Sequence, residues 1–409
     1  MKYLITLCLA FCFSAPTIAT AGKLMIVGGA LSPKNEAIYQ AFLGHVPAGK
    51  KIAIIAAASG SPVRSARLMA EDFVRYGFDA DRIIPIRLAL MDYKDTTEDE
   101  STWAANATSA EEINKLEDVG AVWFTGGDQA RITATLLTAD GADTPMALRI
   151  REILADGGIL GGTSAGAAIM SRPMIADGQN LPALLSGMAP DVEGALRMQV
   201  GMGFLPIGLV DQHFDQRRRL GRLARAITYL PQAERLGFGI DENTGFLVDF
   251  GVSSVEVIGA GAFTILDGRK AKVTESSGGL QADGMVVHVL TDGDRLLLEN
   301  GKPVIAPYKK RTVGNEYYKT APVAGGGVAV PYPGIADFLG NALVDNSAAR
   351  KVSAISFGDD GRGVRYVFRQ WPESNGFWGR GVDGKAHYSI VGIRFSIEPV
   401  KITIQNLQS

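Results

Sequence analysis

Cysteine is almost missing from this chain. The 409 residues contain two, Cys8 and Cys12, and both fall within the first 21 residues. The remainder therefore holds no disulfide, no thiol nucleophile and no cysteine metal site. Histidine is nearly as scarce, with four residues: His45, His213, His288 and His387. No grouping of His, Asp or Glu has metal-ligand spacing, so neither a metal nor another cofactor is expected. Excess charge is lacking too. A formal net charge of −2 argues against nucleic acid as a partner. There is no internal repeat, no charge block and no apolar run long enough to span a bilayer.

What remains has a globular composition, 46% hydrophobic and 21% charged, with length enough for one large core and a second smaller one. The first 21 residues read as an export signal. Lys2 precedes the apolar run from Tyr3 to Phe13, and Ala19-Thr20-Ala21 offers an A-x-A cleavage site before Gly22. Cleavage after Ala21 would deliver a secreted or periplasmic protein without a membrane anchor.

From residue 23 to about 250, short apolar runs alternate with helical patterns. The runs are Leu24 to Val27, Ile52 to Ala56, Ala121 to Phe124, Ile159-Leu160 and Leu205 to Val210. The helical stretches include Ala66 to Tyr76, Ala130 to Leu137 and Pro145 to Ala155. Strands buried on both faces and separated by helices predict a parallel sheet in an α/β sandwich. Each run ends in a Gly-rich or polar loop, at the carboxyl edge where such sheets carry their sites. The tail alternates apolar and polar residues from Ile393 to Ile397 and again from Val400 to Ile404, and Met285 to Leu290 and Arg365 to Phe368 also read as strands. We therefore expect an α/β domain over residues 22–270 and a β-rich region of open role over 271–409. The Gly-, Pro- and Ala-rich stretch from Tyr317 to Pro333 reads as a loop.

Gly162-Thr163-Ser164-Ala165-Gly166 matches G-x-S-x-G between an apolar strand and a helix-like run, the context of a nucleophile elbow. The Ala165 amide is then a natural oxyanion donor. A serine needs a base, and His213, at the end of Leu205 to Val210, is the histidine placed at the same sheet edge. The loop Thr125-Gly126-Gly127-Asp128-Gln129 offers a second oxyanion amide from Gly127 or Asp128. Gln129 is a candidate for a substrate amide or carboxylate, and Asp128 serves equally as a helix cap. Next to His213, the run from Gln216 to Arg222 crowds Arg217, Arg218, Arg219 and Arg222. Arginine forks suit carboxylates, which points to an acidic substrate. Asp241 and Glu242 follow a further apolar segment and are candidates either for a cationic substrate group or for capping a turn.

These stretches together resemble cyanophycinase, a serine exopeptidase family related to aspartyl dipeptidase. The resemblance rests on Ile26-Val27-Gly28-Gly29-Ala30-Leu31-Ser32, Phe124 to Gln129, Gly161 to Ala168, Asp211-Gln212-His213-Phe214 with its arginines, and Gly239 to Thr244. It implies a flavodoxin-like sandwich of the kind seen in class I glutamine amidotransferases. It implies hydrolysis of cyanophycin, a polyaspartate carrying arginine on each β-carboxyl, into β-aspartyl-arginine dipeptides. Carried over, Ser164 resembles the nucleophile and His213 the base, while Gln129, Asp211, Arg217, Arg219 and Arg222 resemble pocket residues. Asp128, Asp241 or Glu242 would receive the guanidinium. The acidic third member is expected between the serine and the histidine, as Glu193 or, second, Asp177. A peptidase for small aspartyl peptides, a non-catalytic secreted binding protein of the same fold and a general esterase are the rival readings. A homodimer is left open.

Overall fold

The computed structural model describes residues 22–93, 98–322, 334–381 and 384–403. The expected leader, and most of the Gly-, Pro- and Ala-rich stretch, lie outside these residues.

Four of the five apolar runs form a parallel sheet, joined by a strand at Ile83–Ile86 that the sequence pattern does not mark. Its strands are β1 (Lys23–Val27), β2 (Lys51–Ile55), β3 (Ile83–Ile86), β4 (Val119–Phe124) and β5 (Ile159–Thr163), in the order β1-β5-β4-β2-β3. Alternate residues of each strand enter different cores. Leu24, Ile26, Ile55, Val122 and Leu160 join Ile132, Leu136, Ile150 and Ile153 on one side. Met25, Val27, Ile54, Trp123 and Ile159 join Ile38, Phe42 and Phe73 on the other. The covering helices are α1 (Glu36–Leu43) and α2 (Pro62–Arg75) on the second side, and α4 (Gln129–Leu136) and α5 (Pro145–Ala155) on the first; a short helix, α3 (Ala110–Asn114), precedes β4. Burial on both faces is why β1, β2, β4 and β5 read as unbroken apolar runs, whereas β3, at the edge, is only half-buried. Helix starts follow local chemistry. Thr144 caps α5 by accepting from the Ala147 amide, with Pro145 in the first turn.

Past the short helix α6 (Ala165–Ala168), a hairpin of β6 (Pro173–Asp177) and β7 (Arg197–Val200) encloses α7 (Asn180–Ser186). The expected Leu205 to Val210 strand starts later, as β8 (Leu209–Gln212). Leu205 makes only an isolated bridge to Ser171, and Pro206 has no N–H to continue a ladder. Helix α8 (Leu220–Thr228) follows, then β9 (Leu236–Ile240), β10 (Thr244–Asp249), β11 (Ser254–Gly259) and β12 (Ala262–Asp267). Strand β10 joins β1 antiparallel. Strand β8 pairs instead with β9, in a second sheet. The turn from β9 to β10 thus crosses from one sheet to the other.

The β-rich region does not begin a separate sheet at residue 270. Strands β13 (Lys272–Ser276) and β14 (Gly279–Thr291) extend β12, while β15 (Arg295–Leu297) and β16 (Lys302–Val304) extend the first sheet through β11. After β17 (Lys310–Arg311) and the helix α9 (Ile335–Leu339) come β18 (Lys351–Phe357), β19 (Arg362–Arg369), β20 (Asn375–Arg380) and β21 (Ala386–Lys401). The second sheet runs β17-β20-β21-β14-β12-β9-β8, with β19 also on β21 and β18 on β19. Open edges at β11 and β12 would leave unpaired backbone groups, and the later strands cover them. Of the two tail segments expected around Pro399, the first and the start of the second lie in one strand, which ends at Lys401, while Ile404 lies outside the described residues. Pro399 faces Val364 of β19, past the end of the β14 pairing at Ile397, so its missing donor breaks no second ladder.

Candidate active site

The G-x-S-x-G turn is built by close approach. A Cβ on Gly162 would lie 2.4 Å from the Gly166 carbonyl oxygen, and one on Gly166 would lie 2.4 Å from that of Phe124. Larger residues there would push α6 off the sheet. Between them Ser164 sits at φ 55° and ψ −108°, a conformation that costs a non-glycine residue about 1–3 kcal/mol. It is held by its own amide, which donates to the Val27 carbonyl at 3.0 Å, and by the Ala167 and Ala168 amides, which donate to its carbonyl.

His213 follows β8 at φ 48°, its amide donating to the Gly28 carbonyl at 2.6 Å. Its ring meets the serine: Nε2 is 2.8 Å from Ser164 Oγ. On the other side, Nδ1 is 2.6 Å from Oε1 of Glu242. Donation from Nδ1–H to this carboxylate fixes the tautomer that leaves Nε2 free to accept from the serine hydroxyl. His213 is 7% exposed. Burial holds the His213 pKa below the usual imidazole value, with Arg217 pushing the same way and Glu242 opposing.

Glu242 stands on the turn between β9 and β10. Its amide donates to Gln216 Oε1 at 2.8 Å. The next residue, Asn243, ties the turn to the β1 loop: its amide donates to the Gly29 carbonyl, and its Oδ1 accepts from the Ser32 amide and the Asn35 side chain. Gly29 has no room for a side chain, since a Cβ there would lie 2.3 Å from His213 Cε1. Gln216, Asn243 and Asn35 were not singled out by the sequence reading. Gly29 and Asn243 lay inside the resembling stretches, which was the available signal.

The expected third acid is corrected by this geometry. Glu193 is exposed in the segment before β7, and Asp177 is exposed at the end of β6. The acid bonded to His213 comes after the histidine in sequence, because the β9–β10 turn brings it back to the β8 edge.

The remaining predicted residues divide into several kinds. Gly126 lies against the serine, where a Cβ would be 3.3 Å from Ser164 Cβ; Gly127 and Ala165 are the next residues in sequence after Gly126 and Ser164. The Asp128 amide donates to the Ala58 carbonyl at 2.9 Å, which leaves Gly127 as the loop's oxyanion candidate. The Asp128 carboxylate caps α4 through the Ala130 amide and is half-exposed beside Arg131. The Gln129 amide nitrogen is engaged within the protein, donating to the Ile175 and Ala176 carbonyls of β6.

Asp211 and Arg222 form a buried fork-to-fork pair at 2.8 and 2.6 Å, and a third Arg222 nitrogen donates to the Gly178 carbonyl. Both side chains are nearly inaccessible, and the pair anchors α8 to β8. Asp241 is likewise internal. It accepts from the Asp215 and Ala262 amides, and burial together with Asp215 pushes its pKa up to about 7. Arg219 lies 3.5 Å from Asp211, with burial pulling its pKa down to about 10. Arg217 is exposed, and its charge is felt by His213.

A serine bonded to a histidine that is itself bonded to a carboxylate, at the carboxyl edge of a parallel sheet, has the geometry of a serine-type hydrolase site. The model of peptidase family S51 matches residues 102–251, a span holding Ser164, His213 and Glu242. The cyanophycinase of Trichormus variabilis is 32% identical over 288 residues, covering 68% of this chain and 87% of that protein. That of Geminocystis herdmanii is 38% identical over 195 residues, covering 46% of this chain and 66% of that protein. A solved peptidase from an acI-B1 Actinobacterium superposes with a TM-score of 0.45 and 20% identity, covering 68% of this chain and 98% of its own. The chain belongs to peptidase family S51, and it is a serine-type peptidase.

Proposed function

We propose that this protein hydrolyses the aspartyl backbone of cyanophycin and releases β-aspartyl-arginine dipeptides. The observation that carries the reading is the hydrogen-bonded sequence Ser164–His213–Glu242. The names of its relatives support the substrate. His213 Nε2 takes the Ser164 proton, and the alkoxide attacks a backbone carbonyl carbon of the polymer. The Gly127 and Ala165 amides receive the oxyanion. His213 then protonates the leaving amine, the C–N bond breaks, and an acyl-serine remains. Water, deprotonated by the same histidine, releases the acid and restores the serine. Glu242 orients the ring and stabilises its cationic form. Each unit of the polymer presents an arginine α-carboxylate, for which the exposed Arg217 is an available cation, whereas Arg219 is mostly buried against Asp211 and the Gln212 carbonyl. Asp128, exposed beside Gly127, is the acid best placed for a guanidinium.

The test is digestion of purified cyanophycin by the protein from Gly22 onward, with mass spectrometry of the products beside a Ser164→Ala control. Dipeptide release by the wild type alone is expected. Release by both proteins rules out the serine. Cleavage of aspartyl dipeptides with the polymer untouched makes the small-peptide reading correct. The first 21 residues are proposed as the export leader, checked by whether the exported protein begins at Gly22.

A further inference from the structure

The β-rich region contains a cavity of about 750 Å³ between β17, β20 and the segment around Tyr317. It lies beyond the matched family segment, and nothing in the mechanism uses it. Its lining is unusual for a surface that only caps a sheet. Tyr317 is 78% and Trp378 38% exposed, and Lys310 and Arg311 also line the cavity. Both cations are exposed. Lys310 sits directly across the ladder from Trp378. The aromatic side is nevertheless held in place. Asp345, buried in the floor, accepts from the Tyr317 amide at 2.8 Å and from the Tyr388 hydroxyl at 2.7 Å, and the Tyr318 amide donates to the Asp345 carbonyl. The Tyr317 and Tyr318 rings pack edge-on at 5.1 Å. The Tyr317 segment is thus ordered before any ligand arrives, which lowers the ordering cost of binding there. Trp378 shows what its face accepts, since the Arg380 guanidinium lies 5.9 Å from the ring centroid.

Aromatic faces that take a planar cation, next to two cations that take a carboxylate, complement a group carrying both charges. Free arginine side groups on a polyaspartate have this make-up. We propose that this cavity is a second, non-catalytic binding site for the same polymer, holding a distant stretch of the chain whose end is cut at Ser164. The proposal rests on the substrate reading above. Geometry sets a length rule. The cavity lies on β17 and β20 at one edge of the second sheet, and His213 follows β8 at the other. Six inter-strand steps place the two about 29 Å apart. An extended aspartyl backbone advances about 3.4 Å per unit, so roughly eight or nine units are needed to touch both. Shorter substrates engage the catalytic site alone, while the polymer gains from a second tether.

The experiment compares Lys310→Glu/Arg311→Glu and Tyr317→Ala/Trp378→Ala with wild type, on cyanophycin and on a trimer of β-aspartyl-arginine. The same changes in a Ser164→Ala background are tested for co-sedimentation with insoluble cyanophycin. Tyr317→Ala alone, at the most exposed position, guards against misfolding. The expected result is a polymer KM raised at least about fivefold and weaker sedimentation, with trimer kcat/KM within twofold of wild type. Unchanged polymer kinetics and sedimentation, with the trimer still cleaved, overturn the second site and leave the substrate reading standing. Equal losses on trimer and polymer also overturn it, because the change then acts on the catalytic site. In a further arm, retention of the Ser164→Ala protein on immobilised polyaspartate equal to that on cyanophycin overturns the arginine-specific occupant in favour of a general anion surface. A wild type that cleaves neither substrate defeats both readings together.

Discussion

Ser164 Oγ and His213 Nε2 lie 2.8 Å apart, although 49 positions separate the two residues. They are carried by strands of different sheets, β5 and β8. The turn between β9 and β10 closes the arrangement by returning Glu242 to the far side of the imidazole.

Glu242 and Glu193 therefore make a matched pair of tests. Glu242→Gln should lower kcat by on the order of a thousandfold, since an amide there can favour the wrong imidazole tautomer. Glu193→Gln, on the exposed segment, should leave kcat within twofold. Steady-state rates on cyanophycin decide this, and a Glu193 variant as damaged as the Glu242 variant would restore the original expectation. Ser164→Ala should cost a thousandfold or more without altering the circular dichroism spectrum.

Gly29 makes no polar contact with substrate in the proposed mechanism, yet it is predicted to be indispensable. A methyl group there meets the His213 ring and sits on a backbone with φ 112°. Gly29→Ala should displace the imidazole and reduce kcat by at least about a hundredfold, because misplacement by an ångström costs on that order. Activity within threefold of wild type would show that the ring accommodates the intrusion.

The base must be neutral to accept the serine proton. Burial and Arg217 hold the His213 pKa below the ordinary value, so activity should be present above that lowered pKa and fall away as pH drops through it. The acid limb of kcat/KM should lie below about pH 6.5. Removing the Arg217 cation should move it to higher pH. Profiles of wild type and Arg217→Ala between pH 4 and 9 check both points; an acid limb above neutrality in the wild type is incompatible with this environment.

The arginine run separates by burial. Arg222 and Asp211 are each nearly inaccessible, with side chains 4% and 1% exposed, so Asp211→Ala strands a buried guanidinium and should cost about 3–5 kcal/mol of stability. Arg217→Ala should leave the melting temperature nearly unchanged and raise KM several-fold. Thermal unfolding measured beside KM distinguishes the two. An Arg217 variant that loses stability while keeping its KM would make that residue structural.

The parallel α/β layer was legible from residue order alone, because strands buried on both faces must be apolar throughout. So was the elbow serine, since close packing of β5 against α6 demands glycine at Gly162 and Gly166. His213 was found by scarcity and by its place after an apolar run. Side-chain partnerships were not legible. Asp211, Arg222 and Asp241 have the chemistry of ligand-binding groups, and only folding showed each held by an internal partner. The choice among Asp177, Glu193 and Glu242 depended on which turn returns to the β8 edge, a long-range pairing that local pattern does not encode. The same holds for the β-rich region, whose strands continue both sheets across residue 270, because an open sheet edge takes its partner from wherever the chain next brings a strand.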